Sequence, residues 1–156
     1  MATDKQTQYD QLFGRLHGLC DGESDVISLM ATIACELNQT FEQFHWVGFY
    51  RNMGDRTLKI GPYQGGHGCL VIPFDRGVCG KCAAEEKVQN VPDVADLPYH
   101  IACAATTRSE LVVPIHDANG QLLAVLDIDS DLPAAFDPVD EKNLARIASY
   151  FQRQPT

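Results

Sequence analysis

Six cysteines are the residues of this 156-residue chain best able to carry covalent chemistry. Cys69 follows the glycine-rich segment GPYQGGHG, and Cys103 lies in a long predicted loop. Because cysteines in such segments are poor candidates for core packing, redox chemistry is the favoured interpretation for these two. Cys79 and Cys82 form a C-x-x-C pair, but no βαβ unit surrounds them, so the pattern of a thioredoxin-like motif is weak.

Zinc binding is an alternative role for the cysteines. The four that could ligate zinc together are Cys69, Cys79, Cys82 and Cys103. A single C-x-x-C with scattered cysteines lacks the second paired spacing of a zinc ribbon, and the five histidines show no metal-ligand spacing. We therefore expect no bound metal. We interpret Cys20, which ends the first predicted helix, and Cys35, which lies next to the apolar stripe of the second, as structural thiols.

The segment QLLAVLDIDS places carboxylates on an otherwise apolar strand face. Strand alternation predicts one face with Leu122, Ala124, Leu126 and Ile128, and an opposite face with Leu123, Val125, Asp127 and Asp129. Glu110, at the start of the neighbouring segment ELVVPI, is expected to lie near the same end. Three converging carboxylates suit an ammonium group or a shared proton. A strand that simply emerges into solvent is the alternative, and it would give the aspartates no function.

The segment HWVGFY predicts a second feature of a ligand site. Trp46, Gly48 and Tyr50 share one strand face, so the glycine leaves a gap between two aromatic walls. A gap beside a large ring is what a small-ligand pocket needs. Ordinary aromatic core packing is the simpler interpretation of this motif when it is taken alone.

Helical spacing predicts the elements at the two ends of the chain. The first helix covers residues 5–19 and presents an apolar stripe of Tyr9, Leu12, Phe13, Leu16 and Leu19. The second is capped by Ser24 or Asp25 and presents a stripe of Ile27, Met30, Ala31, Ala34 and Leu37. A closing helix is predicted to begin at the Asp137-Pro138 cap and to run through Tyr150.

Between these helices the apolar period changes to two, which predicts strands. HWVGFY and TLKIGPY form an antiparallel pair around residues 52–55, and ELVVPIHD and QLLAVLDIDS form a hairpin around residues 118–120. CLVIPF and KVQNVPDV predict short strands, RGVCGKCAAEE a short helix, and residues 91–109 a long functional loop. The fold class is therefore α+β: one domain over residues 1–156, with about six antiparallel strands and the N- and C-terminal helices packed on one face.

Composition and charge exclude several classes of function. Hydrophobic residues make up 45% and charged residues 21% of the chain, as in ordinary globular domains. Twelve basic against 21 acidic residues give a net charge of −9, which argues against binding to nucleic acid or to anionic lipid. The N-terminal residues lack the apolar core of a signal peptide, and no apolar run approaches about 18 residues, so we expect a soluble, cytoplasmic protein.

Seven short motifs follow one another between about Trp46 and Ser130. They are HWVGFY, IGPYQG before Cys69, IPFDRGVCG with Cys79, VPDV, HIAC with Cys103, SE with Glu110, and VLDIDS. In this order and spacing the motifs together resemble the free methionine-(R)-sulfoxide reductases, which are single-domain enzymes built on the GAF fold. The resemblance implies reduction of the R epimer of free methionine sulfoxide, rather than of the oxidised residue within proteins.

The resemblance also implies a role for each cysteine in these motifs. Cys103 is the nucleophile and becomes a sulfenic acid, Cys69 resolves it as a disulfide, and Cys79 is an accessory or alternative resolving cysteine. Thioredoxin regenerates the dithiol from outside, and no bound cofactor is implied. The GAF fold further suggests a homodimer through the terminal helices.

Five further residues receive substrate-binding roles from the same resemblance. Glu110, Asp127 and Asp129 bind the substrate and assist at the sulfoxide oxygen, and Trp46 and Tyr50 line the pocket for the S-methyl end. The main alternative is non-enzymatic: a GAF domain that senses a small molecule or a redox state. Such domains usually accompany an output domain, for which we expect no room in this chain.

Overall fold

The elements follow one another as the sequence predicts in the computed structural model, which describes residues 3–98 and 106–153. The described α-helices are α1 Lys5–Leu19, α2 Val26–Thr40, α3 Gly77–Glu85 and α4 Pro138–Ile147. The described strands are β1 Trp46–Asn52, β2 Thr57–Gln64, β3 Val71–Pro73, β4 Gln89–Val91, β5 Ser109–His116 and β6 Leu122–Ser130. Short 3-10 turns cover Val94–Asp96 and Ala148–Gln152. None of the described helices has both the length and the apolar character needed to cross a membrane.

The strands form one antiparallel sheet in the order β3-β2-β1-β6-β5-β4. Both predicted hairpins, β1–β2 and β5–β6, are present, which confirms the α+β class. The strands that carry the predicted aromatic and acidic residues, β1, β5 and β6, are interior strands with a hydrogen-bonded neighbour on each side. Their backbones are therefore more firmly held than those of β3 and β4, which are the three-residue edge strands.

One face of the sheet is covered by α1, α2 and α4. Strand residues such as Phe49 and Leu126 pack there against Leu12, Ile33 and Leu144 of the three helices, in one continuous cluster of buried side chains. We call it the helix-side cluster. It confirms that the N- and C-terminal helices pack on one face.

The opposite face carries a smaller buried cluster, which α3 covers. We call it the site-side cluster: Trp46, Tyr50, Leu58, Ile72, Val78, Cys79, Cys82, Ala83, Val91, Val94, Val112 and Val125. Because strand side chains alternate, Val47 and Phe49 face the helix-side cluster while Trp46 and Tyr50 face this one. The predicted short helix α3 is therefore present, and it covers the site-side cluster.

Polar side chains define the starts of three helices. The Asp25 carboxylate accepts a hydrogen bond from the Ser28 backbone N–H at 2.9 Å, so Asp25 rather than Ser24 is the cap of α2. Asp4 caps α1 in the same way. At α4, Asp137 and Asp140 form a reciprocal capping box ahead of Pro138, as the Asp-Pro pair predicts.

The predicted helix stripes are wrong in part. Leu19 and Ile27 are 59% and 50% exposed, and Ala31 is exposed as well. In α2 the side chains of Leu29 and Ile33 are buried instead, beside the correctly predicted Met30, Ala34 and Leu37. Apolar residues occur around most of this helix, so periodicity alone does not fix which side faces the sheet, and burial of the larger leucine and isoleucine decides it.

The predicted face of two β6 residues is also wrong. The β5–β6 register shifts between Ile115 and His116, which pair with Ala124 and Leu122, so Leu123 is the extra residue of a bulge. As a result Leu123 packs against the helix-side cluster and Leu122 against the site-side cluster, the reverse of the prediction. From Ala124 onward the predicted alternation is present.

A buried polar network joins the first and last helices. The Asp140 side chain is fully buried and accepts hydrogen bonds from Tyr9 Oη at 2.7 Å and from Lys5 Nζ at 2.6 Å. It also accepts from the backbone N–H of Asp137 as part of the capping box. One carboxylate therefore satisfies three donors and fixes α1 against α4.

Candidate active site

Strand register brings the three predicted carboxylates together at one end of the sheet. Glu110 of β5 is directly opposite Asp129 of β6, so both side chains lie on the same face. Asp127 lies two residues before Asp129 and shares that face, which is the face of the site-side cluster. On the other side of β6, Asp127 is opposite Gly48 and Asp129 is opposite Trp46. The acidic and aromatic motifs of the sequence therefore meet at a single place.

The carboxylate cluster is shielded from water. Asp127 is 4% and Glu110 6% exposed, and Asp129 is half-buried. Within the described part of the chain, Oδ1 of Asp127 and Oδ1 of Asp129 are buried without a hydrogen-bond partner. Buried polar atoms are normally paired, so two unpaired carboxylate oxygens at one spot indicate that the cluster is shaped for a ligand. The alternative of a strand that merely emerges into solvent does not fit this burial.

Burial and mutual repulsion keep protons on this cluster. The pKa of Asp127 is raised well above its usual value, first by burial and then by the charges of Asp129 and Glu110. The pKa of Asp129 is raised in the same direction by burial and by the charge of Glu110. Buried carboxylates this close cannot all ionise together, which leaves a carboxylic acid able to donate a proton.

Cys79 faces the carboxylates from the first turn of α3. Its thiol is buried and donates to Glu110 Oε1 across 3.8 Å. Burial, followed by the charges of Asp127 and Glu110, raises the pKa of the Cys79 thiol well above its usual range. Cys82, one turn further along the helix, is fully buried, and burial raises its pKa as well. Both cysteines are therefore thiols rather than thiolates in this environment.

Three of these residues have the geometry to hold a cation. The Cys79 sulfur and one carboxylate oxygen each from Glu110 and Asp127 lie within 4.8 Å of one another. This donor set could hold a divalent ion or, through its carboxylates, an ammonium group. The zinc site considered from the sequence needs Cys69 as a thiolate ligand, and Cys69 is disulfide-bonded in this structure.

The aromatic wall differs from the gap that the sequence predicts. A Cβ on Gly48 would lie 2.4 Å from Cη2 of Trp46, because the indole folds over the glycine and occupies the space itself. The Trp46 ring stacks between Tyr50 and Tyr63, with centroid distances of 5.8 and 5.3 Å. Gly48 thus lets the indole lie flat on the sheet, and the ring fills the space that the sequence predicts as a gap.

Tyr63 contacts the Trp46 ring, and the sequence did not predict this contact. It pairs with Gly48 across the β1–β2 ladder, and this ladder shifts register between Gly48 and Tyr50. Because a register shift is set by three-dimensional packing, the motif GPYQ gave no signal that its tyrosine would reach the indole. Burial and the nearby charge of Asp127 raise the pKa of Tyr50, which is therefore a neutral hydroxyl.

The cysteine positions separate into free and bonded groups. Cys20, Cys35, Cys79 and Cys82 are free thiols. Cys69 is half-buried against the site-side cluster and is disulfide-bonded, so none of those four is its partner. Cys103 lies outside the described residues, as do Tyr99 to Ala105 around it, and its predicted role stays a prediction.

Comparisons with known proteins agree with this geometry. The family model described as the GAF domain matches residues 20–152. A GAF domain-containing protein A of Dictyostelium discoideum is 41% identical over 92% of this chain and 89% of its own. The free methionine-R-sulfoxide reductase of Escherichia coli is 35% identical over 96% of this chain and 90% of its own. The X-ray structure of the free methionine-R-sulfoxide reductase of Neisseria meningitidis in complex with its substrate superposes with a TM-score of 0.90, at 37% identity, over 97% of this chain and 90% of that one.

Proposed function

This chain belongs to the GAF-domain family and, within it, to the free methionine-R-sulfoxide reductases, and from that premise we propose that it reduces free methionine (R)-sulfoxide to methionine with thioredoxin as the external reductant. The observation that carries the proposal is the buried cluster of Glu110, Asp127 and Asp129 beside the aromatic wall. It combines negative charge, a retained proton and an apolar surface, which are the three properties that this substrate requires.

Two parts of the substrate have a matching group in the site. The α-ammonium group of a free amino acid is a cation that ionised members of the carboxylate cluster would hold. The apolar S-methyl end would lie against the Trp46 ring, which is stacked on Tyr50. Carboxylates that bind the ammonium group favour the free amino acid over its peptide-bound or N-acetylated forms, because a peptide bond or an acetyl group removes the positive charge.

The first chemical step transfers oxygen from sulfur to sulfur. In the proposal the Cys103 thiolate attacks the sulfoxide sulfur and forms an S–S bond to the substrate. The S–O bond of the substrate then breaks as the oxygen passes to the Cys103 sulfur, and breakage of the S–S bond releases methionine and leaves Cys103 as a sulfenic acid. The sulfoxide sulfur is reduced by two electrons and Cys103 is oxidised by two. A protonated carboxyl of the cluster, for which Asp127 and Asp129 are the candidates, would supply a proton to the oxygen as the bond breaks.

The remaining steps restore the thiols. Cys69 would attack the sulfenic sulfur, forming a disulfide and releasing water, and the thioredoxin dithiol would then reduce that disulfide. The disulfide-bonded state of Cys69 supports its part in this cycle. The raised pKa of Cys79 supports an accessory role for this thiol, because a thiol that resists ionisation is a poor first nucleophile. The cycle needs no bound cofactor or metal, and the four free thiols support a reducing, cytoplasmic setting.

The proposal is tested by NADPH consumption in a mixture of this protein, thioredoxin and thioredoxin reductase. We expect turnover with free methionine (R)-sulfoxide and none with the S epimer, which matches the specificity in the name of the relatives. N-acetyl-methionine (R)-sulfoxide should also fail, since the acetyl group removes the ammonium charge that the carboxylates read.

Efficient reduction of the N-acetylated compound would contradict the assignment of a free amino acid as substrate. Tight binding of the R epimer without methionine release, measured by calorimetry and by product analysis, would favour the sensor alternative. Replacing thioredoxin by dithiothreitol separates a failure of the thioredoxin assignment from a failure of the reductase chemistry.

A further inference from the structure

The loop that carries Cys69 is fastened at both of its ends. We use the name Cys69 loop for residues 65–70. Trp46 Nε1 donates a 2.7 Å hydrogen bond to the Gly66 carbonyl, and the Ile60 N–H donates a 3.0 Å hydrogen bond to the Leu70 carbonyl. Cys69 lies between these two anchors and packs against the site-side cluster. The backbone position of Cys69 is therefore set by how the loop rests on Trp46, together with the disulfide that Cys69 forms.

At Gly68 the Cys69 loop comes close to the rings of Trp46 and Tyr50. A Cβ at this position would lie 2.9 Å from Tyr50 Oη and 3.0 Å from Cζ2 of Trp46. Carbon atoms in ordinary contact are about 3.5–4.0 Å apart, so a side chain there would push the loop outward. Gly68 does not have a positive φ, so the glycine is required for space rather than for backbone conformation.

Gly66, two residues earlier, is a natural comparison. A Cβ at this position would meet nothing within 4 Å, and its φ is not positive either. The Gly66 carbonyl, which accepts the hydrogen bond from Trp46, is a backbone group and is therefore still present after any substitution at this position. We therefore expect Gly68→Ala to disturb the contact of the loop with Trp46 and Tyr50, and Gly66→Ala to leave that contact unchanged.

We propose that Gly68 is a positioning residue for Cys69: the missing side chain lets the Cys69 loop rest on Trp46 and Tyr50 and so sets where Cys69 stands when it resolves the oxidised nucleophile. The inference rests on the proposed function. In the resolving step an S–S bond forms between Cys69 and Cys103, the S–O bond of the Cys103 sulfenic acid breaks, and the oxygen leaves as water with the Cys69 proton. The preceding attack on the substrate does not use Cys69.

The test compares wild type, Gly68→Ala and Gly66→Ala as reduced full-length chains without added reductant. Each is mixed with saturating free methionine (R)-sulfoxide, and both methionine release and disulfide formation are followed by quenching and mass spectrometry. We expect all three to release the first methionine at comparable rates. Gly68→Ala should then form the disulfide about tenfold more slowly, since small displacements of reacting atoms have large effects on rate. Its sulfenic acid should be trapped by dimedone, as in Cys69→Ser.

A second arm keeps the inference testable if the wild type does not reduce the sulfoxide. Hydrogen peroxide oxidises a thiolate to a sulfenic acid directly, so resolution by Cys69 can be measured without substrate. Slower disulfide formation in Gly68→Ala than in Gly66→Ala would support the positioning role even then, while the proposed function would fail.

Equal rates of disulfide formation in the two alanine variants would overturn the inference. A merely structural role predicts something different: the first methionine release, the resolving step and the urea midpoint of Gly68→Ala would decline together. Trp46 is the only tryptophan of the chain, so its emission gives an independent reading of the contact. The emission maximum of Gly68→Ala should shift to the red, while that of Gly66→Ala should match wild type.

Discussion

At the scale of single residues, Asp127 links the site to the pH dependence of folding. Burial and the neighbouring charges hold its pKa well above the usual range in the folded chain, whereas in the unfolded chain the pKa returns to about 3.9. Above that pH the folded state binds more protons than the unfolded state. The contribution of Asp127 to the free energy of unfolding therefore falls as pH rises from about 4 toward the folded pKa.

Asp127→Asn removes this titration and the carboxyl group together. We expect its free energy of unfolding, relative to wild type, to increase steadily between about pH 4 and pH 8, as measured by urea denaturation. Turnover of the sulfoxide should fall about 100-fold or more, because positioned proton donors contribute factors of this size. The control is Asp21→Asn, an exposed acid between α1 and α2, which should change neither quantity. Unchanged kinetics in Asp127→Asn would mean that the carboxyl takes no part in the reaction.

Residue identity and alternation were sufficient to predict the acidic half of the site. Asp127, Asp129 and Glu110 lie together because alternation and hairpin pairing act over a few residues of sequence. The aromatic half was not predictable in the same way. The place of Trp46 over Gly48, and the arrival of Tyr63, depend on a register shift between strands that no local pattern encodes.

At the scale of elements, glycines inside helices have opposite effects in α3 and α1. A Cβ on Gly80 would lie 2.6 Å from the Pro73 carbonyl oxygen and 3.0 Å from that of Phe74. We expect Gly80→Ala to lower the free energy of unfolding by about 1–3 kcal/mol despite its better helix propensity, since backbone atoms cannot rotate away. Gly14 and Gly18 of α1 have open space, and either alanine variant should stabilise by about 0.5–1 kcal/mol.

Urea denaturation of the three variants provides the measurement. The α1 variants are the matched controls, since the chemical change is the same and only the surroundings differ. Stabilisation of Gly80→Ala by the same amount as Gly14→Ala would show that α3 does not rest on the 73–74 backbone as described.

Element boundaries were predictable wherever a side chain or a change of period marks them. The Asp137-Pro138 start of α4 and the turn between β1 and β2 are examples. Local periodicity was less reliable in predicting which side of an element faces the core. In α2 the burial of Leu29 and Ile33 in place of Ile27 and Ala31 was decided by packing against the sheet. The bulge at Leu123 likewise reverses two faces that strict alternation predicts.

At the scale of the whole molecule, one buried carboxylate ties the two ends of the described chain together. Asp140→Ala would leave the Tyr9 hydroxyl and the Lys5 ammonium without their shared acceptor and would remove half of the capping box. We expect a loss of about 3–5 kcal/mol in the free energy of unfolding, which is typical when a buried ion pair loses one partner. Activity per folded molecule should be unchanged, since this network belongs to the helices and not to the site-side face.

The surface pair between Arg15 and Glu36 is the control for this prediction. Its 2.8 Å contact is nearly as short as the 2.6 and 2.7 Å contacts of Asp140 with Lys5 and Tyr9, but both side chains are partly exposed. Arg15→Ala should therefore change the free energy of unfolding by about 1 kcal/mol or less. Equal losses in the two variants, measured by urea denaturation, would show that burial is not what makes the Asp140 network strong.

The helix-side and site-side clusters lie on opposite faces of β1 and β6, and this arrangement affects how the sequence of such a protein can change during evolution. Adjacent residues such as Phe49 and Tyr50 are under different selective pressures, because Phe49 packs in the helix-side cluster and Tyr50 packs in the site-side cluster. Replacements on the site face can accumulate over generations without loosening the helix-side layer that secures the chain. Every second residue of such a strand can change, and with it the ligand that the site prefers, while the residues between them preserve the fold. This is one physical route by which a single fold acquires unrelated ligands.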